Sequence, residues 1–285
     1  MRPAPSKHLS GRVCLVTGAN AGLGRATSLE LAKLGATVVL ACRDQARGEA
    51  AQAEIEAATG NNDLELALVD LSSQQSVRDM AAGFKSKHDR LDVLINNAAV
   101  FKNKRTLTPD GLETMFATNH LGPFLLTNLL LDQLKAAGRA RIINVTAPST
   151  TRLNFDDLQG ERDFNALSAF GASKMCNLLF TYELARRLAG TGLTSNAFHP
   201  GLMKSNLLNE APGMVRWLSH LFSASPERAA RNLVYVASSP NVAGASGRFF
   251  KGRKTISSNP YSRDPNNQRR LWEVSARLAN LGSFA

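Results

Sequence analysis

The run Thr17-Gly18-Ala19-Asn20-Ala21-Gly22-Leu23-Gly24 places three glycines where a short apolar stretch gives way to a helical pattern. Each glycine has its own task. Gly18 permits a tight turn, Gly22 lets the backbone approach a ligand, and Gly24 lets the helix lie close to the sheet. The free N–H groups that open the helix, flanked by Asn20 and Leu23, then make a seat for a pyrophosphate. With a strand before it and a helix after it, the run reads as a dinucleotide-binding turn; taken alone, it could be a glycine-rich loop with no ligand. The second strand ends at Ala41-Cys42-Arg43, and Asp44 arrives a residue late. An acid at a strand end bonds both ribose hydroxyls of NAD, whereas the planar fork of Arg43 suits a 2′-phosphate. Arg43 therefore points to NADP(H), with Arg25 as added charge. In the plainer reading, Arg43 is a surface residue at a helix start.

The elements that position these residues alternate in type. Arg12–Thr17, Thr37–Ala41, Leu64–Val69, Val93–Asn96, Arg141–Thr146 and Thr194–Phe198 are mostly continuous apolar runs, as expected of parallel strands covered on both faces. Between them, Leu23–Leu34, Gln45–Ala58, Ser76–Lys87, Leu112–Ala136 and Ala172–Leu188 carry helical spacing. The alternation predicts right-handed crossovers and a single-domain α/β fold, a doubly wound parallel sheet with helices on both faces. Residues 9–205 would form the cofactor-binding core and 225–285 a C-terminal part. Leu207–Phe222, with Pro212, Gly213 and several bulky apolar residues, reads either as a cover over a small apolar substrate or as ordinary core packing. Segments Val100–Pro109 and Ala147–Asn165 leave the carboxyl ends of strands, where such sheets bind ligands.

The 285 residues include 44% hydrophobic side chains, enough for a large core. No run reaches the ~20 apolar residues of a membrane span, and residues 1–11 show no secretory pattern. Cys14, Cys42 and Cys176 are far apart in sequence, with no CxxC, and read as reduced, buried thiols of a cytoplasmic protein with no metal. The net charge is +11, with a denser basic region at Arg248, Lys251, Arg253, Lys254, Arg263, Arg269 and Arg270. No nucleic-acid motif accompanies it, so it reads as a solvated basic face.

These features, together with Asn96-Asn97-Ala98-Ala99 and Asn119, resemble the short-chain dehydrogenase/reductase family over nearly the whole chain. Ala41-Cys42-Arg43-Asp44, Thr118-Asn119-His120-Leu121-Gly122, Leu158-Gln159-Gly160-Glu161 and Arg270-Leu271-Trp272-Glu273-Val274-Ser275 are similar to its retinol-dehydrogenase-like branch. The resemblance implies that Asp70 and Leu71 border the adenine, that Asn97 and Ala98 line the ribose and phosphates, and that Lys174 bonds the nicotinamide ribose. It also implies that Pro200, Gly201 and Met203 form a turn beside the nicotinamide, with Ser205 near the carboxamide or phosphates. Each of these has a plainer reading in packing or turns; Asp70, for one, would cap the following segment. Family members pair through helices flanking the sheet, which implies a homo-oligomer, though the basic surface and C-terminal part leave the state of this chain open.

The resemblance also exposes a departure. The family's catalytic set is Asn, Ser, Tyr and Lys. Asn119 and Lys174 match, but the tyrosine position falls on Phe170 and the serine position on Ala147, within Asn144-Val145-Thr146-Ala147-Pro148-Ser149. The phenol normally protonates the carbonyl oxygen, helped by Lys⁺, and the serine hydroxyl holds that oxygen. Losing a general acid costs ~10²–10⁴ in rate, and losing an oxyanion donor roughly 10²–10³. Thr146 and Ser149 are near enough in sequence to face the substrate. His120, Ser168, Cys176 and Tyr182 are candidate proton donors, each with packing or surface as its favoured role; Lys174 acting through a water is another. The resulting expectation is an NADP(H)-dependent oxidoreductase for an apolar aldehyde, ketone or alcohol, with an atypical proton donor. A cyclase or isomerase, or a catalytically deficient NADP(H)-binding protein, is the alternative on the same scaffold.

Overall fold

Alternation along the strands divides the apolar residues between two cores. Leu15, Val39, Leu94 and Ile142 pack on one face of the sheet, and Cys14, Val38, Val93 and Ile143 on the other. The strands can therefore be apolar throughout, because helices cover both faces. The computed structural model of the protein describes residues 8–201 and 225–282.

The order is β1 (Val13–Thr17), α1 (Gly22–Lys33), β2 (Thr37–Cys42), α2 (Gln45–Thr59), β3 (Leu64–Leu68), α3 (Gln74–Lys87) and β4 (Val93–Asn96). Then come α4 (Thr114–Phe116), a π turn (Ala117–Leu121), α5 (Gly122–Leu129), α6 (Leu131–Ala136), β5 (Arg141–Val145), α7 (Ala166–Arg187) and β6 (Thr194–His199). The chain closes with α8 (Pro226–Ser238), β7 (Phe249–Lys251), β8 (Lys254–Ile256), α9 (Pro260–Arg263) and α10 (Pro265–Leu278). The strands lie in the order β3-β2-β1-β4-β5-β6-β7-β8. The first seven are parallel, and β8 pairs antiparallel with β7. Chain direction across the sheet reverses between β1 and β4, which opens a crevice beyond their carboxyl ends.

The expected doubly wound sheet is present, with three differences. The β7–β8 hairpin adds an antiparallel edge. Helix α7 begins at Ala166, capped by Asn165, and runs straight through Gly171. The stretch 112–136, which reads as one helix, is broken by the π turn. Cys14, Cys42 and Cys176 are buried free thiols. Among the described residues no helix is long and apolar enough to cross a membrane.

Candidate active site

At the reversal lies a crevice of about 440 Å³, lined among others by Gly18, Asn20, Arg43, Asp70, Leu71 and Ala98. Gly18 has φ +67°, and its N–H donates to the Ala41 carbonyl at 2.8 Å, so the turn is tied to β2. Gly22 has φ +52°. At Gly24 a Cβ would sit 2.1 Å from the Gly18 carbonyl oxygen, so only glycine fits. The Asn97 amide donates to the Thr17 carbonyl at 2.8 Å and braces the turn from behind, while Ala98 faces the crevice.

The end of α1 that opens this turn has no side-chain cap. By contrast α2, α3, α7, α8 and α10 are capped by Asp44, Ser73, Asn165, Ser225 and Asp264. The orphan N–H groups of α1, with Leu23 buried behind them, thus suit an anionic group. Asp44 is committed to the α2 cap, accepting from the Arg47 N–H at 2.9 Å. Arg43 is 72% exposed and only loosely paired to Asp70, at 3.9 Å. Asp70 also accepts from the Ser72 N–H and hydroxyl; the α3 cap belongs to Ser73 rather than Asp70. Arg25 is engaged by Glu54, away from this role. Arg47 and Thr118 are among the lining residues that have no place in the sequence reading as binding groups. Arg47 follows Arg43 by one helical turn, a spacing that was available as a signal. Thr118 lines the crevice with a buried hydroxyl that has no partner among the described residues, and the sequence marks it only as the first residue of the run 118–122 that resembles the retinol-dehydrogenase-like branch.

Asn119 sits in the π turn, a distortion that recurs at functional sites. Its Oδ1 accepts from the Val100 N–H at 2.7 Å, and its Nδ2 donates to the Val100 carbonyl at 3.0 Å and to Ser173 Oγ at 3.1 Å. Ser173 in turn donates to the Phe170 carbonyl at 2.7 Å. Asn119 thereby clips the loop after β4 to α7. Phe170 packs edge-on to Phe101, with ring centroids 5.6 Å apart, in an apolar cluster with Met115. One helical turn on, Lys174 is buried, and its Nζ lies 5.1 Å from the Phe170 centroid. Burial alone brings its ammonium down from 10.5 to about 8.

Ala147 is half-buried at the end of β5. The hydroxyls on either side of it are not available as expected. Thr146 Oγ1 donates to the Lys174 carbonyl at 2.9 Å, and Ser149 Oγ to the Gly171 carbonyl at 2.8 Å. Both protons are spent on fastening this loop to α7. The candidate replacement donors fare as their packing readings predict. His120 is fully buried among Phe116, Phe124 and Phe180, bonds Ser275 Oγ at 2.8 Å, and is pushed down to about 3 by burial. Tyr182 donates to Ser258 at 2.8 Å, two helical turns beyond Lys174. Burial raises the Cys176 thiol, and Ser168 is exposed. Pro200 and Gly201, with φ +88°, turn the chain at the end of β6. Met203, Ser205 and the cover at 207–222 lie outside the described residues.

An uncapped helix behind a glycine turn, at the reversal of a parallel sheet, defines a dinucleotide-binding α/β protein. The model of the family described as short chain dehydrogenase matches residues 12–214. Human retinol dehydrogenase 13 is 42% identical, over 97% of this chain and 87% of that protein. Human retinol dehydrogenase 11 is also 42% identical, over 96% and 87%. The crystal structure of a protein from Mycobacterium paratuberculosis superposes with a TM-score of 0.79 at 33% identity, covering 98% of this chain and 96% of that one. The chain belongs to the short-chain dehydrogenase family, which binds NAD(P)(H), and is retinol-dehydrogenase-like in sequence.

Proposed function

We propose that the chain is an NADP(H)-dependent oxidoreductase for an apolar aldehyde, ketone or alcohol, in which Lys174 takes over the proton transfer that a phenol would perform. The observation that carries the nucleotide half is Arg43. It is an exposed guanidinium, only loosely paired to Asp70 at 3.9 Å, that lines the crevice together with Arg47. A guanidinium fork is suited to a 2′-phosphate, and the residue that would otherwise bond ribose hydroxyls, Asp44, is used as a helix cap.

The cofactor supplies or accepts the hydride. The chain's own residues bind it, orient it and manage the proton. Phe170 and Ala147 stand where the family pattern has its tyrosine and serine, and neither carries a hydroxyl. Lys174 Nζ is an ionisable group beside the Phe170 ring. With its pKa brought to about 8, it is matched to donating a proton near neutrality, through one water to the substrate oxygen. The apolar wall of Phe101, Met115, Phe164 and Phe170 supports an apolar substrate. The curated relatives named retinol dehydrogenases point the same way.

Titration with NADPH and NADH is the test. NADPH is expected to bind more tightly, and Arg43→Ala is expected to weaken NADPH by roughly 10–100-fold, the value of a charge-assisted contact, with NADH unchanged. A second reading, nucleotide binding without turnover, is favoured by the engagement of Thr146 and Ser149. It is distinguished by tight NADPH binding with no oxidation of NADPH across a panel of apolar carbonyls.

A further inference from the structure

Between Glu227 and Asp264 the chain carries seven Lys and Arg and no carboxylate. Five of these cations, Arg248, Lys251, Arg253, Lys254 and Arg263, fall on or beside the β7–β8 hairpin, which is one outer edge of the sheet. All five are exposed. None forms an ion pair among the described residues, whereas Arg12, Arg25, Lys33, Arg90, Arg105, Arg186 and Arg187 elsewhere all do. The nearest acid on the packed helix α7, Glu183, is 0% exposed and is claimed by Arg186 and Arg187. The edge is therefore uncompensated positive charge. Two open crevices, of about 830 and 590 Å³, flank the hairpin and share Arg248 in their walls.

We propose that the β7–β8 edge is a docking surface for an anionic phospholipid bilayer. Three observations favour this occupant. The cations lie along the outermost strands of the sheet and on the walls of the two open crevices beside them, so the charge is spread along a whole edge rather than gathered at one point. The hairpin's aromatics, Phe249 and Phe250, are buried and the neighbouring Tyr235 ring is covered by Arg253, which disfavours the base stacking that a single-stranded nucleic acid would need. The described exposed large hydrophobics, Leu68, Leu107 and Leu167, lie elsewhere, so the contact is electrostatic adsorption without insertion. Each such cation near a negatively charged leaflet contributes about fivefold to partitioning. The effect is screened by salt.

The test is co-sedimentation of the full chain with vesicles of phosphatidylcholine, alone and mixed with phosphatidylserine, in the absence of nucleotide. Binding is expected only with phosphatidylserine and is expected to fall as salt rises. The variant R248Q/K251Q/K254Q should bind on the order of 10²-fold more weakly. Its side chains are exposed, and an unchanged thermal midpoint confirms the fold. Arg253 is left intact because it stacks on Tyr235 at 4.7 Å. The variant K85Q/K87Q/R139Q removes the same charge from exposed positions elsewhere and should bind like the wild type. The proposal is overturned by absent binding to phosphatidylserine vesicles, by equal weakening in both triple variants, or by duplex DNA binding more tightly than vesicles through the same edge residues. None of these outcomes depends on the redox reading.

Discussion

Lys174 Nζ stands 5.1 Å from the centroid of the Phe170 ring, one helical turn back on α7, with no carboxylate paired to it among the described residues. A cation over a ring face recovers only about 1–2 kcal/mol. The ammonium is therefore held at a cost, which appears as its lowered pKa.

That cost sets the pH dependence of stability. Lys174 has a folded pKa of about 8 against the ordinary 10.5 of a lysine, so between these limits the unfolded chain binds more protons than the folded one. Stability must then rise as pH increases from about 8 to about 10.5, and the folded state carries the full penalty below about 8. The size is on the order of 3 kcal/mol. Lys174→Met should remove this slope and stabilise the nucleotide-free protein at pH 7, as read from urea midpoints across the range. A midpoint that falls between pH 8 and 10 in the wild type, relative to the variant, contradicts the assignment.

The same titration governs turnover in the proposed mechanism. If Lys174 donates the proton, carbonyl reduction should decline above about pH 8 as the ammonium is lost. Ala147→Ser with Phe170→Tyr should raise the rate by ~10²–10⁴ by restoring a phenol beside Lys174 and a hydroxyl at the end of β5. NADPH oxidation with an apolar aldehyde, followed at saturating cofactor, reads both effects. A rate unchanged by the double substitution means that the pocket no longer holds a carbonyl near these positions.

Much of this arrangement is legible in the sequence, and the rest is hidden for physical reasons. The strands of the interior announce themselves because burial on both faces makes them continuously apolar. The β7–β8 hairpin does not, because each strand has three residues and four cations crowd them. The sequence reading starts this helix at Ala172, yet α7 begins at Ala166 and runs through Gly171, where the missing side chain leaves room for Thr151, whose Oγ1 would lie 2.4 Å from a Cβ there. The π turn at Asn119 is silent because one extra residue in a helical turn barely disturbs a 3.6 period where every residue from Met115 to Asn128 is buried and no exposed face marks the phase. Ser149 and Thr146 have the right chemistry for a substrate contact, but only the fold shows their protons given to carbonyls of α7.

Gly24 is the most exacting position of the nucleotide turn. A methyl group there meets the Gly18 carbonyl at 2.1 Å, and both atoms belong to backbone that is pinned, Gly18 to β2 and Gly24 within α1. Relief requires α1 to move away from the turn. Gly24→Ala should cost about 1–3 kcal/mol and weaken NADPH and NADH alike, since both share the pyrophosphate. Calorimetry of the two nucleotides separates this from Arg43→Ala, which should affect only NADPH.

Helix α10 raises a different expectation about assembly. Trp272 lies edge-on to Phe124 at 4.9 Å, beside Phe180 at 6.0 Å, and is roofed by the Arg187 guanidinium at 4.2 Å. Ser275 on the same helix meets buried His120. Helices α5 and α7 are thus covered on this face by α10. Burying that face internally makes self-association through it unnecessary, so the expected species on light scattering is one that does not use it. Trp272→Ala deletes a large ring from the seal and should cost about 3–5 kcal/mol. If enough fold survives, the uncovered Phe124 and Phe180 should drive concentration-dependent dimers that the wild type does not form. A wild type that dimerises and is unaffected by Trp272→Ala would place its interface elsewhere.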